Sequence, residues 1–66
     1  MITVGETHVE FRQGITLAQA LDEAAVDVDS PMIITVNDAI VDKSNIGRFE
    51  LSDNAEICVM PILSGG

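Results

Sequence analysis

One short helix signal stands between segments with the pattern of β-strands, and this order restricts the possible folds more than any other feature. Thr16-Leu17-Ala18-Gln19 has the capping-box form, in which a threonine and a glutamine satisfy the first amides of a helix. Leucine and alanine then recur at spacings of three and four, which predicts a helix over about residues 17–25. Its adjacent acids, Asp22 and Glu23, point in different directions and are interpreted as solvated.

A β-hairpin is predicted before the helix. Residues 2–4 and 7–9 alternate between apolar and polar, and Gly5-Glu6 between them suits a type II′ turn. This turn sets a register in which the two strand segments pair along their whole length. His8 points outward and is the only histidine, so we interpret it as an exposed strand residue without catalytic or metal-binding partners.

The segments after the helix alternate between connection and β-strand. Residues 26–31 contain polar breakers and a proline, which predicts a connection. Residues 32–36 are rich in β-branched side chains and apolar on both faces, as in an interior strand. The remaining predictions are a turn at Asn37-Asp38, a short strand at Ile40-Val41, an irregular stretch with one turn of 3₁₀ helix over 42–47, a brief strand from Phe49 to Leu51, a turn over 52–54 and a last strand over 55–60.

The last strand has two different faces. Ile57 and Val59 are expected to point at the helix, whereas the alternate residues point away from it, Cys58 among them. A nucleophilic role for Cys58 is weakly supported because no histidine partners it, and we favour a small, buried packing residue. Pro61 is expected to end the strand, since proline cannot donate a hydrogen bond to a neighbouring strand.

These elements predict an α+β fold, a mixed sheet of four or five strands with one helix packed across it. The 66 residues suffice for one small domain, expected over residues 1–60, with a tail over residues 61–66. A hydrophobic fraction of 47% argues against a disordered chain. No group of residues offers a nucleophile, a base and a stabilising group together, so we do not expect an enzyme that acts alone.

The charge of the chain limits its partners. Eleven acids against three bases give a net charge of −8, which disfavours nucleic acid and anionic membranes as partners. Two interpretations stay open for this acidity, a solvated surface that aids solubility and a partner with a basic docking face. The single cysteine fits a reducing compartment, and no signal peptide or membrane span is recognisable, so we expect a cytoplasmic protein.

The sequence ends in Gly65-Gly66, and no structural use of glycine explains this pair. Two residues without a β-carbon form a thin arm that could thread a narrow channel. We therefore expect the tail to present the carboxylate of Gly66 to the active site of another protein.

Taken together, these features resemble the ubiquitin-like β-grasp sulfur carriers, a family typified by the thiamine-biosynthesis carrier and by the small subunit of molybdopterin synthase. The resemblance covers essentially the whole chain. Its pieces are the hairpin with Gly5, Gly14-Ile15-Thr16-Leu17 before the helix, Val36-Asn37-Asp38-Ala39-Ile40-Val41, Leu51-Ser52-Asp53-Asn54-Ala55-Glu56-Ile57 and the terminal Gly65-Gly66.

The resemblance implies a protein that is a substrate of other enzymes. An E1-like adenylating enzyme would use ATP and magnesium to activate the carboxylate of Gly66, with Ser64 and Gly65 as the arm. A sulfur donor enzyme would then produce a thiocarboxylate, and a sulfur-accepting synthase, a thiazole synthase in thiamine biosynthesis, would receive the sulfur. No cofactor would be bound by the carrier itself. The docking surface is expected on the sheet face away from the helix, as an apolar strip of Cys58, Met60, Ile62 and Leu63 beside Glu56.

Three alternatives remain at this stage. Pro61-Ile62-Leu63-Ser64-Gly65-Gly66 is reminiscent of the molybdopterin synthase subunit, and many thiamine carriers have glycine where this chain has Asn54. A carrier for another sulfur-containing metabolite fits the same pattern. The last alternative is a ubiquitin-like interaction module whose terminus has no chemistry, and there the apolar residues of the last strand could equally complete the core.

Overall fold

The computed structural model describes residues 1–62, which form five strands, one α-helix and one turn of 3₁₀ helix. No helix among these residues is both long enough and apolar enough to cross a membrane. In chain order the elements are β1 Ile2–Val4, β2 Thr7–Val9, α1 Leu17–Glu23, β3 Met32–Val36, β4 Ala39–Val41, the 3₁₀ turn Lys43–Asn45 and β5 Glu56–Pro61.

The strands form a single mixed sheet in the order β2-β1-β5-β3-β4. Only the β1–β5 contact is parallel, and the other three strand pairs are antiparallel. The last strand thus lies at the centre of the sheet, between the first and third strands. This arrangement confirms the predicted α+β class and its β-grasp architecture, a mixed sheet with one helix across it.

The hairpin of β1 and β2 has the predicted register, in which Ile2 faces Val9. Gly5 has φ +59°, and the residue after it is not left-handed, as a type II′ turn requires. Phe11 lies past the end of β2 and packs half-buried against the core.

Helix α1 begins as predicted. The side chain of Thr16 accepts the N–H of Gln19 at 3.3 Å, and the Gln19 side chain accepts the N–H of Thr16 at 2.9 Å. Both halves of the capping box are therefore present.

The helix ends at Glu23, two residues before the predicted end. Ala25 has a left-handed φ of 60° and donates its N–H to Asp22, while Val26 donates to Leu21 at 2.9 Å. These two bonds form a Schellman motif, which closes the helix with a residue of left-handed conformation. Sequence spacing missed this end because the left-handed residue is an alanine, whereas the usual signal is glycine.

The core lies between α1 and one face of the sheet. Alternate residues of the central strands point at the helix, which explains why Ile57 is buried and Val59 is half-buried, as predicted. The buried apolar residues are Ile2, Val4, Val9, Ile15, Leu17, Ala20, Leu21, Ile34, Val36, Val41, Leu51, Ala55 and Ile57.

The predicted strand from Phe49 to Leu51 is wrong. Only Glu50 forms a β-bridge there, with Thr16, and two backbone bonds of 2.8 and 2.9 Å flank this bridge. Pairing cannot continue because the partner chain enters α1 directly after Thr16. The predicted 3₁₀ turn is confirmed at Lys43–Asn45.

Pro61 does not end the ladder between β3 and β5, in contrast to the prediction. It lies within β5 opposite Met32, and Ile62 still donates its N–H to the carbonyl of Pro31 at 3.1 Å. Hydrogen-bonded and non-hydrogen-bonded pairs alternate along an antiparallel ladder, so the nitrogen of Pro61 faces the opposite side of β5. β1 already ends at Val4 on that side, and a missing donor therefore disrupts no pairing.

Candidate docking face

The face of the sheet away from α1, here called the outer face, is the candidate functional surface. It is formed by the strand residues that alternate with the core residues, and no element among residues 1–62 covers it. The described residues enclose no pocket and bring together no group of three metal-ligating side chains.

Five apolar or weakly polar side chains are exposed on the outer face of β3, β4 and β5 and its continuation. Four of them are large, exposed hydrophobic residues, and the fifth is the exposed Cys58. Pairing across the strands brings them together, because Ile33 faces Met60 and Thr35 faces both Cys58 and Ile40. We call this set the apolar patch, and its members are Ile33, Ile40, Cys58, Met60 and Ile62.

The apolar patch contains every predicted strip residue that the structure describes. Met60 is 50% exposed and Ile62 is 49% exposed, so neither completes the core. Cys58 was expected to be a buried packing residue, and this expectation is wrong. Side chains alternate between the two faces along β5, so Cys58 points outward because its neighbour Ile57 points into the core. Leu63, the fourth predicted strip residue, lies outside the described residues.

Ile33 and Ile40 were missed at the sequence level. Ile40 is the most exposed of the large hydrophobic residues, at 77%. The segment around Ile33 has apolar residues on both faces, a pattern that predicted a strand buried on both sides. The phase relative to Ile34 and Val41, which are core residues, would have placed both side chains on the outer face.

Acidic groups flank the apolar patch at the end opposite the tail. Glu56 is exposed on the outer face, and its N–H is held by the Asn37 side chain at 3.0 Å. Asp38 is exposed in the adjoining turn. The basic groups that form contacts among residues 1–62 do so elsewhere: Arg12 bonds Glu23, Lys43 bonds the carbonyl of Ser30, and the N-terminal amine pairs with Asp53.

The other predicted outward residue of the sheet, His8, lies on the edge strand β2. It is exposed and faces Thr3, which in turn faces Glu56 across β1 and β5. Its exposure on β2 confirms the interpretation of His8 as an exposed strand residue.

Three carboxylates away from the apolar patch have lowered pKa values. Hydrogen bonding from Arg12 lowers the pKa of Glu23, and hydrogen bonding from the N-terminal amine lowers that of Asp53. The backbone N–H of Ser44 lowers the pKa of Asp42, which caps the 3₁₀ turn. These three carboxylates anchor loops and helix ends, and their lowered pKa values stabilise the fold. They supply no acid or base at the outer face.

The described part of the tail, residues 61–62, continues the central strand at the edge of the apolar patch. Its first residue, Pro61, completes β5, and Ile62 extends the pairing to Pro31. The predicted arm and acceptor residues, Ser64, Gly65 and Gly66, lie outside the described residues.

Comparison with known proteins agrees with the β-grasp fold. A search of curated proteins gave no match. The sequence model of the ThiS family matches residues 1–66. Proteins of this family are small carriers that work with E1-like and sulfur-accepting enzymes and are generally not enzymes themselves. Because the match spans the whole sequence, the chain belongs to the ThiS family of sulfur carriers.

Proposed function

We propose that this protein carries sulfur as a thiocarboxylate on Gly66 and delivers it to the synthesis of the thiamine thiazole. The observation that supports the proposal is the continuity of β5, whose outer face contributes to the apolar patch and whose end leads into the tail. An enzyme that docks on the apolar patch would therefore meet the tail beside its docking surface.

The proposed chemistry explains why a second enzyme is needed. A carboxylate is a poor acyl donor because its leaving group would be an oxide. An E1-like adenylating enzyme, with ATP and magnesium, would join the carboxylate of Gly66 to AMP and release pyrophosphate. Sulfide supplied by a donor enzyme then attacks the acyl carbon and displaces AMP, so the net change at Gly66 is the replacement of one oxygen by sulfur.

The two terminal glycines make the carboxylate of Gly66 sterically accessible to the activating enzyme. Neither Gly65 nor Gly66 has a β-carbon, so both can pass a channel that excludes larger residues. Ser64 adds one small polar residue before them. The carrier needs no bound cofactor for this role, because the nucleotide and the metal belong to the activating enzyme.

The apolar patch is the proposed contact surface for that enzyme. Exposed apolar residues that cluster on one face commonly mark protein interaction sites. Glu56 and Asp38 lie at one end of the apolar patch and favour a partner with basic groups at the same place. The acidity of the chain then has a specific role in binding that partner.

The thiamine pathway is favoured within the family by the ThiS match over residues 1–66. One sequence departure is also explained by the structure. Asn54 has a left-handed φ of 67°, a conformation that glycine adopts freely and asparagine tolerates better than most residues. The asparagine can therefore occupy a position where many thiamine carriers have glycine.

The decisive experiment is the intact mass of the protein after incubation with ATP, magnesium, a sulfur source and E1-like enzymes from the same cell. The expected result is a mass gain equal to replacing one oxygen by sulfur, localised to Gly66 by fragmentation. Transfer of that sulfur to a thiazole synthase would support the thiamine pathway, and transfer to a molybdopterin synthase large subunit would contradict it. An unchanged mass with every enzyme, beside an active control carrier, would favour a plain interaction module.

Docking is tested separately with matched charge insertions. Met60→Lys places a cation within the apolar patch, and Gln13→Lys places the same charge at an exposed residue of the loop before α1. We expect only the Met60 variant to weaken binding to the adenylating enzyme, by about tenfold or more, as for a central interface residue. Equal binding by both variants would exclude the apolar patch as the docking surface.

A further inference from the structure

Asn37 holds both backbone polar groups of Glu56. The N–H of Asn37 donates to the carbonyl of Glu56 at 2.8 Å. The N–H of Glu56 donates to the side-chain oxygen Oδ1 of Asn37 at 3.0 Å. A regular hydrogen-bonded pair of an antiparallel ladder exchanges two bonds between the backbones. At this pair, which adjoins the pair of Val36 and Ile57, a side chain has replaced one backbone carbonyl.

The turn between β3 and β4 explains this replacement. Asn37 and Asp38 form the turn, and their φ values of 51° and 70° are both left-handed, as in a type I′ hairpin turn. The chain therefore leaves the ladder with β5 directly after Val36. The bond that a backbone carbonyl would accept from Glu56 passes to the side chain of Asn37.

Position 37 thus combines three requirements. Its left-handed φ favours glycine, asparagine and aspartate. Its bond from the N–H of Glu56 requires a side-chain acceptor, which glycine lacks. Its place beside the carboxylates of Asp38 and Glu56 favours a neutral side chain over aspartate, since like charges repel. Asparagine alone meets all three requirements.

The two carboxylates beside Asn37 are exposed and charged alike. Asp38 is its neighbour in the chain, and Glu56 is its partner in the ladder. The ion pairs among residues 1–62 involve other carboxylates, those of Glu23 and Asp53. Repulsion between Asp38 and Glu56 opposes the approach of the turn to β5, and the two hydrogen bonds of Asn37 act against this repulsion. Both charges are thereby held at one end of the apolar patch.

We propose that Asn37 is a positioning residue for docking, which holds Asp38 and Glu56 as one contact for a basic group of the adenylating enzyme. The inference rests on the proposed function, because it concerns the enzyme expected at the apolar patch. Asn37 acts only through the placement of the two carboxylates, which form the contact themselves.

A double-mutant cycle between positions 37 and 56 tests this role, with the affinity for the E1-like adenylating enzyme measured at low ionic strength. In the wild-type background, Glu56→Gln should weaken binding by about fivefold, the upper range for an exposed ion pair. Asn37→Gly keeps the left-handed turn but removes the acceptor, and in this background Glu56→Gln should weaken binding by less than about twofold. Asn37→Asp restores the acceptor and should restore the larger effect of Glu56→Gln.

Met60→Ala is the matched control, since Met60 pairs with Ile33 toward the other end of the apolar patch. It should weaken binding by the same factor in the wild-type and Asn37→Gly backgrounds, as expected for distant sites. Hydrogen exchange of the Glu56 amide, measured without enzyme, should be faster in Asn37→Gly than in the wild type and in Asn37→Asp.

Circular dichroism confirms that each variant folds. If Asn37→Gly does not fold, a cycle between Asp38→Asn and Glu56→Gln replaces the first cycle. Two carboxylates that bind the same basic group should give effects on affinity that do not add, whereas additive effects would contradict a shared contact.

The inference and the proposed function fail in distinguishable ways. A protein that shows the expected cycle but never gains sulfur at Gly66 would refute the proposed function and support the role of Asn37. Normal loading, with an equal effect or no effect of Glu56→Gln in both backgrounds, would overturn the role of Asn37 alone. Unchanged exchange of the Glu56 amide in Asn37→Gly would also overturn it. Absence of binding by the wild type would overturn both proposals.

Discussion

Replacing Ala25 by glycine should stabilise the protein, because the structure places this alanine in a left-handed conformation. With φ 60°, Ala25 closes α1 in a Schellman motif, where a β-carbon is unfavourable by about 1–2 kcal/mol. The greater freedom of glycine in the unfolded chain offsets about 0.4–1 kcal/mol of this gain. A net stabilisation of roughly 0.5–1 kcal/mol remains, which corresponds to a rise in Tm of about 3–6 °C for a domain of this size.

Ala18→Gly is the matched control, because it makes the same chemical change within the right-handed part of α1. It should destabilise the protein by about 0.5–1 kcal/mol, as glycine does in a helix interior. Urea denaturation of both variants beside the wild type measures the two effects with opposite signs. A loss of stability in Ala25→Gly would show that the helix end is not held in the left-handed conformation and would refute the reasoning.

Three further outcomes are expected. Leu21→Ala, at a fully buried position, should cost about 3–5 kcal/mol, a large share of the total for so small a domain, and urea denaturation measures the loss. Arg12 lowers the pKa of Glu23, so the ion pair stabilises the fold above the unfolded pKa of Glu23 and this contribution disappears as pH falls through the folded pKa. The stability difference between wild type and Glu23→Gln at neutral pH should therefore shrink as pH falls below the ordinary glutamate pKa of about 4.3 and vanish below the lowered folded pKa, and equal differences at neutral and at strongly acidic pH would contradict the ion pair. Gly66→Val should largely abolish loading, measured by intact mass, with unchanged urea denaturation, and normal loading would contradict the narrow-channel argument.

Local signals in the sequence predicted most of the fold. The capping box at Thr16 and the glycine turn at Gly5 depend on contacts within a few residues, so both could be recognised and placed. The alternation of β5 likewise identified Ile57 as a core residue. The residues that determine such features all lie within one short segment, so the sequence alone is enough to recognise them.

The errors arose where a distant segment decides the outcome. Proline was expected to end β5 at position 61, but the effect of a missing donor depends on which neighbour that donor would face. The register with β3 turns the nitrogen of Pro61 toward the side of β5 on which β1 has already ended. Phe49 to Leu51 failed as a strand for a similar reason, because its partner chain turns into α1.

Three of the five residues of the apolar patch were predicted, and the two that were missed show what sequence patterns lack. Cys58, Met60 and Ile62 were placed by the alternation of one strand. Ile33 and Ile40 become part of the apolar patch only through pairing of β5 with β3 and of β3 with β4. A continuous surface across three strands cannot be assembled until the strand order is known.

The exposed outer face also follows from the size of the chain. One helix can cover only one face of a five-stranded sheet, and no element among residues 1–62 covers the other face. A domain this small gains limited stability from burial, and the exposed apolar side chains of its outer face remain available to a partner. A partner that binds only the folded form adds RT ln(1 + [L]/Kd) to the free energy of unfolding, about 2.7 kcal/mol at a hundredfold excess over Kd. Docking on the apolar patch, as proposed, would thus stabilise the sheet from the side that α1 does not cover.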